Sequence, residues 1–287
     1  MKKTLLFQRI YFIFFLLLFF FVALTSCITE EIDIDISERD IKVIGHGGMG
    51  IGQVYPMNSY ESVMYAVSLG SDGIEIDVQM TKDGVLVAFH DEELETKTDK
   101  HGKIYEQNWD DIKDAEYVSS APYTKYRIIR LKNIFEHLPN LYDYTFFLDV
   151  KSFHSTTSMA YHNQLNQALT NLIDEYREKR NLNINRIYIE LKDEEAIELL
   201  QNTHPNYQIF AYDNFERALE KARKYKLKGI TVQTSELTKE NVELAQNEGL
   251  LVATLNTHSQ NKNIEAVNKG VDYIQTDRVK HLIKILK

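Results

Sequence analysis

The sequence predicts an α/β fold: a closed (β/α)8 barrel with a small insertion after the strand that ends at His90. From about residue 41 to the end, short β-branched or apolar runs alternate with longer segments of helical periodicity. This alternation is typical of a parallel sheet built from βα units. About 250 residues carry it, the usual size of one barrel. Gly70, Gly249 and Gly270 each lie between a predicted helix and a predicted strand, where a left-handed residue commonly ends the helix.

Nine segments compete for the eight strand positions of such a barrel. Thr81 to Gly84 is predicted to form a turn, which leaves no room for a helix between Asp77 and Val85. The stretch from Asp91 to Leu131 is weakly periodic and is the predicted insertion, because long excursions between strands are usually functional caps. The strand candidates are 41–46, 73–77, 85–90, 145–150, 186–190, 208–211, 229–232, 250–254 and 272–275.

The predicted helices begin after residues that can cap a first turn, including Asn58 or Ser59, Thr238 and Asp277. Their hydroxyl or carboxylate oxygens can accept hydrogen bonds from the free amides of that turn. The helices are expected at 59–69, 158–179, 194–201, 215–225, 239–247, 261–268 and from 278 to the C-terminus.

The first 26 residues are typical of an export signal. Lys2, Lys3 and Arg9 precede an apolar run from Tyr11 to Leu24. That run is shorter than the roughly 20 residues that cross a bilayer, so a removable signal peptide is the better interpretation. The segment ends in Leu24-Thr25-Ser26-Cys27, which resembles the lipobox of bacterial lipoproteins.

Lipid on Cys27 would anchor the protein to a membrane of the bacterial cell envelope, at the outer membrane or the cell surface. The alternative is an ordinary signal peptide with a chance cysteine. Residues 27–40 are predicted to be an acidic tether, although their alternating isoleucines also fit a half-buried strand. Residues 41–287 form the predicted barrel domain. Cys27 is the only cysteine, so no internal disulfide stabilises the domain.

The charge balance excludes a polyanion as the expected partner. Residues 1–26 contain three of the 33 basic side chains and none of the 42 acidic ones, so the processed chain has a net charge near −12. Nucleic-acid affinity depends mostly on phosphate neutralisation by Lys and Arg, so no nucleic-acid partner is expected. The sequence does not indicate an oligomeric state.

Acidic residues lie near the C-terminal ends of two of the predicted strands. Glu75 and Asp77 are two positions apart, so both point into the barrel interior if the strand is extended. Two buried like charges are unfavourable unless a cation lies between them. Asp149 could supply a third carboxylate, and an all-oxygen ligand set favours Ca²⁺ or Mg²⁺. The alternative is a solvated Glu-x-Asp pair without metal.

His46 and His90 each end a predicted strand and are the candidate catalytic residues. One imidazole could take a proton from an attacking hydroxyl while the other gives one to the leaving oxygen. A hydrogen-bonded structural histidine is the alternative for each. Lys151 shares a strand face with Asp149 and could contact a substrate phosphate. The glycines at positions 47, 48, 50 and 52 could let backbone amides approach an anion.

In residue type, order and spacing, these clusters resemble the glycerophosphodiester phosphodiesterase family. The similarity continues through Leu148-Asp149-Val150-Lys151, through 250–256 and through 270–277, so it covers about residues 41 to 280. The segments that carry the first part of the resemblance are Gly45-His46-Gly47-Gly48, Pro56-Met57-Asn58-Ser59, Gly70-Ser71-Asp72-Gly73, Glu75-Ile76-Asp77-Val78, Thr81-Lys82-Asp83-Gly84 and Phe89-His90-Asp91.

The resemblance implies a TIM barrel with a small insertion, in which Glu75, Asp77 and Asp149 hold Ca²⁺ or Mg²⁺. It implies acid–base roles for His46 and His90 and a small-molecule phosphodiester substrate. Attack by a neighbouring glycerol hydroxyl or by water would release an alcohol and a glycerol phosphate.

Several positions depart from the family pattern. Gly47 stands where the family has an arginine that contacts phosphate, Met57 replaces a glutamate, and Asp149 is one methylene shorter than glutamate. Ala253-Thr254 stands where the eighth strand has a tryptophan. An active enzyme with altered substrate preference is favoured, because both histidines and the Glu75–Asp77 pair are present. The alternatives are an impaired barrel lipoprotein that binds a phosphorylated glycan or lipid head group, and a related phospholipase that attacks intact lipid.

Overall fold

A computed structural model describes residues 40–51, 54–118, 125–153 and 158–287 of the chain. The predicted signal peptide, Cys27 and nearly all of the predicted tether lie outside these residues, as does Gly52. Within the described ranges, no helix combines the length and the apolar character needed to cross a bilayer.

Eight parallel strands form the closed barrel, as predicted. Strand β1 pairs with both the second and the last strand, which closes the sheet. The order around the barrel is β1-β2-β5-β6-β7-β8-β9-β10. The strands are β1 (Lys42–Gly45), β2 (Gly73–Met80), β5 (Thr145–Val150), β6 (Ile187–Leu191), β7 (Gln208–Tyr212), β8 (Gly229–Gln233), β9 (Leu251–Thr257) and β10 (Tyr273–Thr276).

Each barrel strand is followed by a helix. Among the described residues these are α1 (Tyr60–Ser68), α3 (Leu131–His137), α4 (Met159–Arg180), α5 (Glu194–Thr203), α6 (Phe215–Tyr225), α7 (Lys239–Asn247), α8 (Gln260–Lys269) and α9 (Val279–Leu286). Helix α3 was not predicted, because its seven residues lack a side-chain cap and follow the weakly periodic stretch.

The predicted caps and glycine positions are mostly confirmed. Ser59 accepts a hydrogen bond from the Ser62 amide, and Thr238 accepts one from the Asn241 amide. The three predicted glycines have φ of 94°, 81° and 75°. The prediction for Asp277 was wrong: α9 begins at Val279, its N-cap residue is Arg278 without a side-chain cap, and both carboxylate oxygens of Asp277 contact histidines instead.

The ninth strand candidate is not part of the barrel. Strand β3 (Leu86–Ala88) runs antiparallel to β2 after the predicted turn and pairs with the two-residue strand β4 (Ile129–Arg130). The excursion therefore begins before His90 and includes the strand that leads to it. The short helix α2 (Trp109–Ile112) lies within it. The excursion has its own buried cluster, which includes Val87, Phe89, Leu94, Ile104, Ile112, Ala115, Tyr117, Tyr126 and Ile128.

The barrel interior changes from apolar to polar along its axis. Inward side chains recur every second residue along each strand, so neighbouring strands contribute to successive layers. An apolar cluster contains Ile44, Phe147, Tyr188, Phe210 and Ala253. Two residues further along three of these strands, the inward positions are His46, Asp149 and Tyr212, which border a cavity. The polar face of the barrel therefore lies at the C-terminal strand ends.

Candidate active site

A cavity of about 210 Å³ opens at the C-terminal ends of the barrel strands. Five of the six predicted site residues line it: His46, Glu75, His90, Asp149 and Lys151. The sixth, Asp77, belongs to the same acidic cluster, since one carboxylate oxygen from each of Glu75, Asp77 and Asp149 lies within 4.8 Å of the others. The structure thus brings the predicted residues together.

The acidic cluster is held by neighbouring strands in register. Asp77 on β2 pairs with Asp149 on β5, and Glu75 is one inward position earlier on β2. Glu75 and Asp77 are buried, with 2% and 1% of their surface exposed. The backbone amide of Gly47 donates to Oε2 of Glu75 at 2.8 Å. The carboxylate of Glu75 is therefore held in place by a backbone hydrogen bond.

Asn58 orients Asp77 from the loop before α1. Its Nδ2 donates to Oδ2 of Asp77 at 2.5 Å, and the amide of Asp77 donates to Oδ1 of Asn58 at 3.1 Å. Asn58 adopts φ of 63°, a left-handed conformation that asparagine tolerates better than most residues. The reciprocal pair leaves Oδ1 of Asp77 facing the cluster, where the ammonium group of Lys151 lies against it.

Lys151 supplies the cation that neutralises part of this cluster. Its Nζ lies 2.6 Å from Oδ1 of Asp77 and 2.5 Å from Oδ2 of Asp149. Burial disfavours its charge, but Asp149 and Asp77 more than offset this and raise the pKa of Lys151. Burial and the charges of Asp77 and Asp149 raise the pKa of Glu75 well above its usual value. Three carboxylates therefore share one ammonium group, which leaves the cluster short of positive charge.

His46 is held by a buried carboxylate. Its Nδ1 lies 2.7 Å from Oδ1 of Asp277, and because a carboxylate only accepts, Nδ1 carries the proton. Nε2 lies 4.0 Å from Oε2 of Glu75. Burial opposes ionisation of Asp277, but hydrogen bonding to His46 prevails and lowers its pKa. In neutral His46 the basic nitrogen is therefore Nε2, on the side of the acidic cluster.

His90 is arranged in the same way but is more exposed. Its Nδ1 lies 2.6 Å from Oδ1 of Asp91, which again leaves Nε2 as the basic nitrogen of the neutral ring. The side chain is 53% exposed, against 10% for His46. Nε2 of Gln79 donates to the carbonyl oxygens of Phe89 and Asp91 and so fixes the backbone on both sides of His90.

The cavity has an ionic side and a neutral polar side. The ionic groups come from β1, β2, β5 and the excursion, whereas β6 to β10 supply mostly neutral groups. Thr231 and Gln275 both donate to Oε1 of Glu190. Burial, followed by the charge of Asp149, raises the pKa of Glu190 to about 8. The remaining lining on this side includes Tyr212, Gln233, Leu255 and Asn256.

Two of the four glycines predicted to let amides approach an anion do not do so. The amide of Gly47 donates to Glu75 and that of Gly48 to the carbonyl oxygen of Gly45, so neither is available to an anion. Gly47 adopts φ of 51°, and a Cβ atom there would lie 2.7 Å from Cγ of Met57. Two of the departures from the family pattern are thus in contact: Met57 fills the space where a larger residue 47 would begin.

Sequence reasoning missed Asn58 as a site residue and assigned Asp277 to a helix cap. Their partners are 19 and 231 residues away in sequence, so local periodicity carries no signal for them. Glu190 was missed as well, although an inward-facing acid in the middle of an apolar strand is detectable once the strand is assigned.

Comparison with known proteins agrees with this geometry. Residues 49–281 match the glycerophosphoryl diester phosphodiesterase family. A glycerophosphodiester phosphodiesterase of Caldanaerobacter subterraneus is 35% identical over 112 residues, which are 38% of this chain and 45% of that protein. Human glycerophosphodiester phosphodiesterase 1 is 28% identical over 145 residues, 46% of this chain and 40% of that protein. These matches therefore cover less than half of either curated relative.

Solved structures share the fold over most of the chain. A phosphodiesterase of Oleispira antarctica, solved with the product sn-glycerol-3-phosphate, superposes with a TM-score of 0.73 at 19% identity. The match covers 85% of this chain and 95% of that one. A glycerophosphodiester phosphodiesterase of Parabacteroides distasonis gives 0.72 at 19% identity, covering 86% and 97%. Together with the family match over residues 49–281, this establishes that the chain belongs to the glycerophosphoryl diester phosphodiesterase family.

Proposed function

We propose that this protein hydrolyses glycerophosphodiesters to an alcohol and glycerol phosphate, in a reaction that needs a divalent cation. The observation that carries the proposal is the convergence of three carboxylates, a lysine and two histidines around one cavity. Family membership and the names of the matched relatives support the same reaction.

The acidic cluster suits a hard cation such as Ca²⁺ or Mg²⁺. Its three ligand atoms are carboxylate oxygens, and their mutual separation of at most 4.8 Å is compatible with oxygen ligands around one ion. Oδ1 of Asp77 already lies against the ammonium group of Lys151, so this carboxylate is already paired with a positive charge. Glu75, Asp77 and Asp149 would hold the ion. When bound, it would polarise the phosphoryl oxygens and stabilise the charge that develops on them.

The histidines would divide the proton transfers. His46 and His90 each donate Nδ1–H to an aspartate and have Nε2 as the basic nitrogen of the neutral ring. One would accept the proton of the attacking hydroxyl or water, and the other, in its protonated form, would donate to the leaving alkoxide. Lys151 would contact a phosphate oxygen as a compact positive charge.

The neutral side of the cavity fits the glycerol arm of such a substrate. Gln233, Asn256 and Tyr212 offer amide and phenol groups that can exchange hydrogen bonds with hydroxyls. In an acylated glycerol those hydroxyls are esterified, so the polar side chains of the cavity would lose their hydrogen-bond partners, which is unfavourable. We therefore favour deacylated substrates over the intact lipid that a phospholipase would attack.

An activity assay with a chelator tests the proposed reaction. The chain from residue 28 onwards is incubated with glycerophosphocholine, with EDTA, and with EDTA followed by excess Ca²⁺ or Mg²⁺; intact phosphatidylcholine serves as a second substrate. We expect release of glycerol phosphate that EDTA abolishes and the metal restores, with little cleavage of the intact lipid. Turnover that EDTA leaves unchanged would contradict the metal requirement.

Substitution of His90 tests the acid–base assignment. Because its side chain is half exposed, His90→Ala should change stability by no more than about 0.5 kcal/mol. It should lower kcat by about 10² to 10⁴, the usual contribution of a general acid or base. The exposed His101→Ala is the matched control. An active His90→Ala enzyme would refute the role of His90.

A second candidate function is binding without turnover of a phosphorylated glycan or lipid head group. The observation that favours it is Gly47, where the family has a phosphate-contacting arginine and where Met57 now fills the adjacent space. Under this alternative, isothermal titration would detect glycerol phosphate binding, while a panel of diesters would give no metal-dependent product.

We further propose that the protein is exported and anchored in the bacterial envelope through lipid on Cys27. The support is the charged and apolar N-terminal segment and the four residues that end at Cys27. Expressed in a Gram-negative host, the full chain should incorporate labelled palmitate and fractionate with membranes. Cys27→Ala should lose the label; labelling that persists in this variant would contradict the proposal.

A further inference from the structure

The carboxylate of Asp277 contacts two histidines, of which only one belongs to the proposed catalytic pair. Oδ1 accepts from Nδ1 of His46, and Oδ2 accepts from Nδ1 of His258. Asp277 is buried, with 2% of its surface exposed, whereas the His258 side chain is 48% exposed. His258 therefore lies between the buried carboxylate and solvent.

An irregularity in β9 brings His258 to this position. Thr254 pairs with Ile274 on β10, but the next pair is Thr257 with Thr276, so β9 contains one extra residue there. Asn256, inside this bulge, has φ of 64°. With regular pairing Asp277 would lie opposite residue 257; the extra residue moves His258 opposite Asp277 instead.

The backbone around His258 is anchored to the end of β10. Nε of Arg278 donates to the carbonyl oxygen of His258 at 2.9 Å. Oγ1 of Thr257 donates to the carbonyl oxygen of Gln275 at 2.9 Å. These two contacts hold Thr257 and the carbonyl group of His258 itself, so the position of the backbone does not depend on the hydrogen bond of the His258 side chain.

We propose that His258 is a positioning residue: by binding the second oxygen of Asp277, it holds the carboxylate in the orientation that keeps His46 directed at the cavity. The hydrogen bond that His258 donates to Oδ2 restricts rotation of the carboxylate about its terminal torsion. The bond to Asp277 also fixes the proton of His46 on Nδ1 and the free electron pair on Nε2. The kinetic consequence of this inference rests on the proposed hydrolysis.

Three variants separate hydrogen bonding from packing. His258→Leu covers Asp277 without donating, and His258→Asn places an amide donor near the position of Nδ1. We expect His258→Leu to lower kcat about tenfold with little change in KM, in line with the effect of outer partners of active-site residues. His258→Asn should recover most of the loss. His101→Leu, at an exposed histidine outside the cavity, is the control.

A proton NMR measurement tests positioning without any turnover. The Nδ1–H of His46, assigned by its loss in His46→Gln, should resonate downfield and exchange slowly because a buried carboxylate accepts it. His258→Leu should speed this exchange, and His258→Asn should restore it. Unchanged exchange and unchanged kcat in His258→Leu would overturn the inference. If the wild-type protein cleaves no diester, the proposed function fails, while the exchange rates still decide the role of His258.

Discussion

The site depends on side chains that direct other side chains. Asn58 fixes Asp77, the amide of Gly47 fixes Glu75, and Asp277 fixes His46. Each of these contacts is buried, where a hydrogen bond to a charged group is stronger than at the surface. Loss of an orienting partner should therefore affect the reaction more than its distance from the substrate suggests.

Asp277→Asn tests this at His46. The asparagine amide cannot accept hydrogen bonds from both histidines as the carboxylate does, so the proton of His46 is no longer held on Nδ1. We expect kcat to fall by about 10² to 10⁴, as when the orienting aspartate of a catalytic triad is replaced. The exposed Asp110→Asn is the matched control. Wild-type kcat in Asp277→Asn would show that His46 needs no orientation.

Gly47 and Met57 should be energetically coupled. In Gly47→Arg, the positive φ and the 2.7 Å approach of Met57 both oppose the new side chain, so we expect a loss of about 1 to 3 kcal/mol in the free energy of unfolding. In a Met57→Ala background the loss should be smaller by about 1 kcal/mol. Urea denaturation of the four proteins in this cycle measures the coupling. Additive losses would mean that the two residues do not compete for space.

The predictable part of the site was the part adjacent to strand ends. His46, Glu75, Asp77, Asp149 and Lys151 lie on or just after barrel strands, so the barrel geometry predicted their convergence. His90 was grouped with them, although the strand that leads to it lies outside the barrel. The residues that orient the site residues could not be found this way. Asn58 precedes a helix, and Asp277 lies 231 residues from His46, so only the closed barrel brings them to their partners.

At the scale of elements, the eight barrel strands and seven of their helices were predictable because each has a clear pattern of apolar residues. For the excursion, the turn at 81–84 and the strand candidate 85–90 were predicted, but β4 and the antiparallel pairing were not, because β4 has two residues and the order of the excursion depends on a separate apolar cluster. The bulge in β9 could not be predicted from the sequence either. An extra residue in a strand leaves the alternation of apolar residues almost unchanged.

The backbone conformation at the bulge predicts that different substitutions of Asn256 lower the free energy of unfolding by different amounts. Its left-handed backbone suits glycine and asparagine but opposes a β-branched residue. Asn256→Val should therefore lower the free energy of unfolding by about 1 to 3 kcal/mol, and Asn256→Gly by less than about 1 kcal/mol. Urea denaturation provides both values. Equal losses in the two variants would indicate that side-chain contacts, rather than backbone conformation, determine the cost.

For the whole molecule, the buried acids make metal-free stability depend on pH. The pKa of Glu190 is raised from 4.5 to about 8, so the folded state binds a proton that the unfolded state has released between these values. The stability due to this group is fully present below pH 4.5 and is lost as pH rises to about 8. Urea denaturation of the metal-free protein should show this loss, on the order of a few kcal/mol.

Glu190→Gln should flatten much of that pH dependence, because the amide does not titrate. Glu75 acts in the same direction, since its pKa is also raised, so some dependence should persist in the variant. Glu243→Gln, at an exposed position, is the control and should retain the wild-type profile. An unchanged profile in Glu190→Gln would mean that Glu190 is ionised in the folded protein throughout this range.

A bound cation should reverse the repulsion within the acidic cluster and raise the melting temperature. At 100 times its dissociation constant, Ca²⁺ or Mg²⁺ would stabilise the fold by about 2.7 kcal/mol. Glu75→Gln should make the metal-free protein more stable near neutral pH, because the amide avoids both the repulsion between buried carboxylates and the cost of protonating Glu75, yet it should reduce the metal-dependent rise. Thermal melts with and without metal distinguish this from a variant that is merely less stable.

The two histidines come from different parts of the fold, because His90 lies outside the barrel wall. His46 comes from a barrel strand, whereas His90 comes from an excursion with its own buried cluster. Local opening of the excursion would withdraw His90 while the barrel stayed folded, so heat inactivation should precede global melting. The same division allows the two parts to evolve separately. Substitutions or insertions in the excursion can change the position of His90 without disturbing the strands proposed to bind the cation.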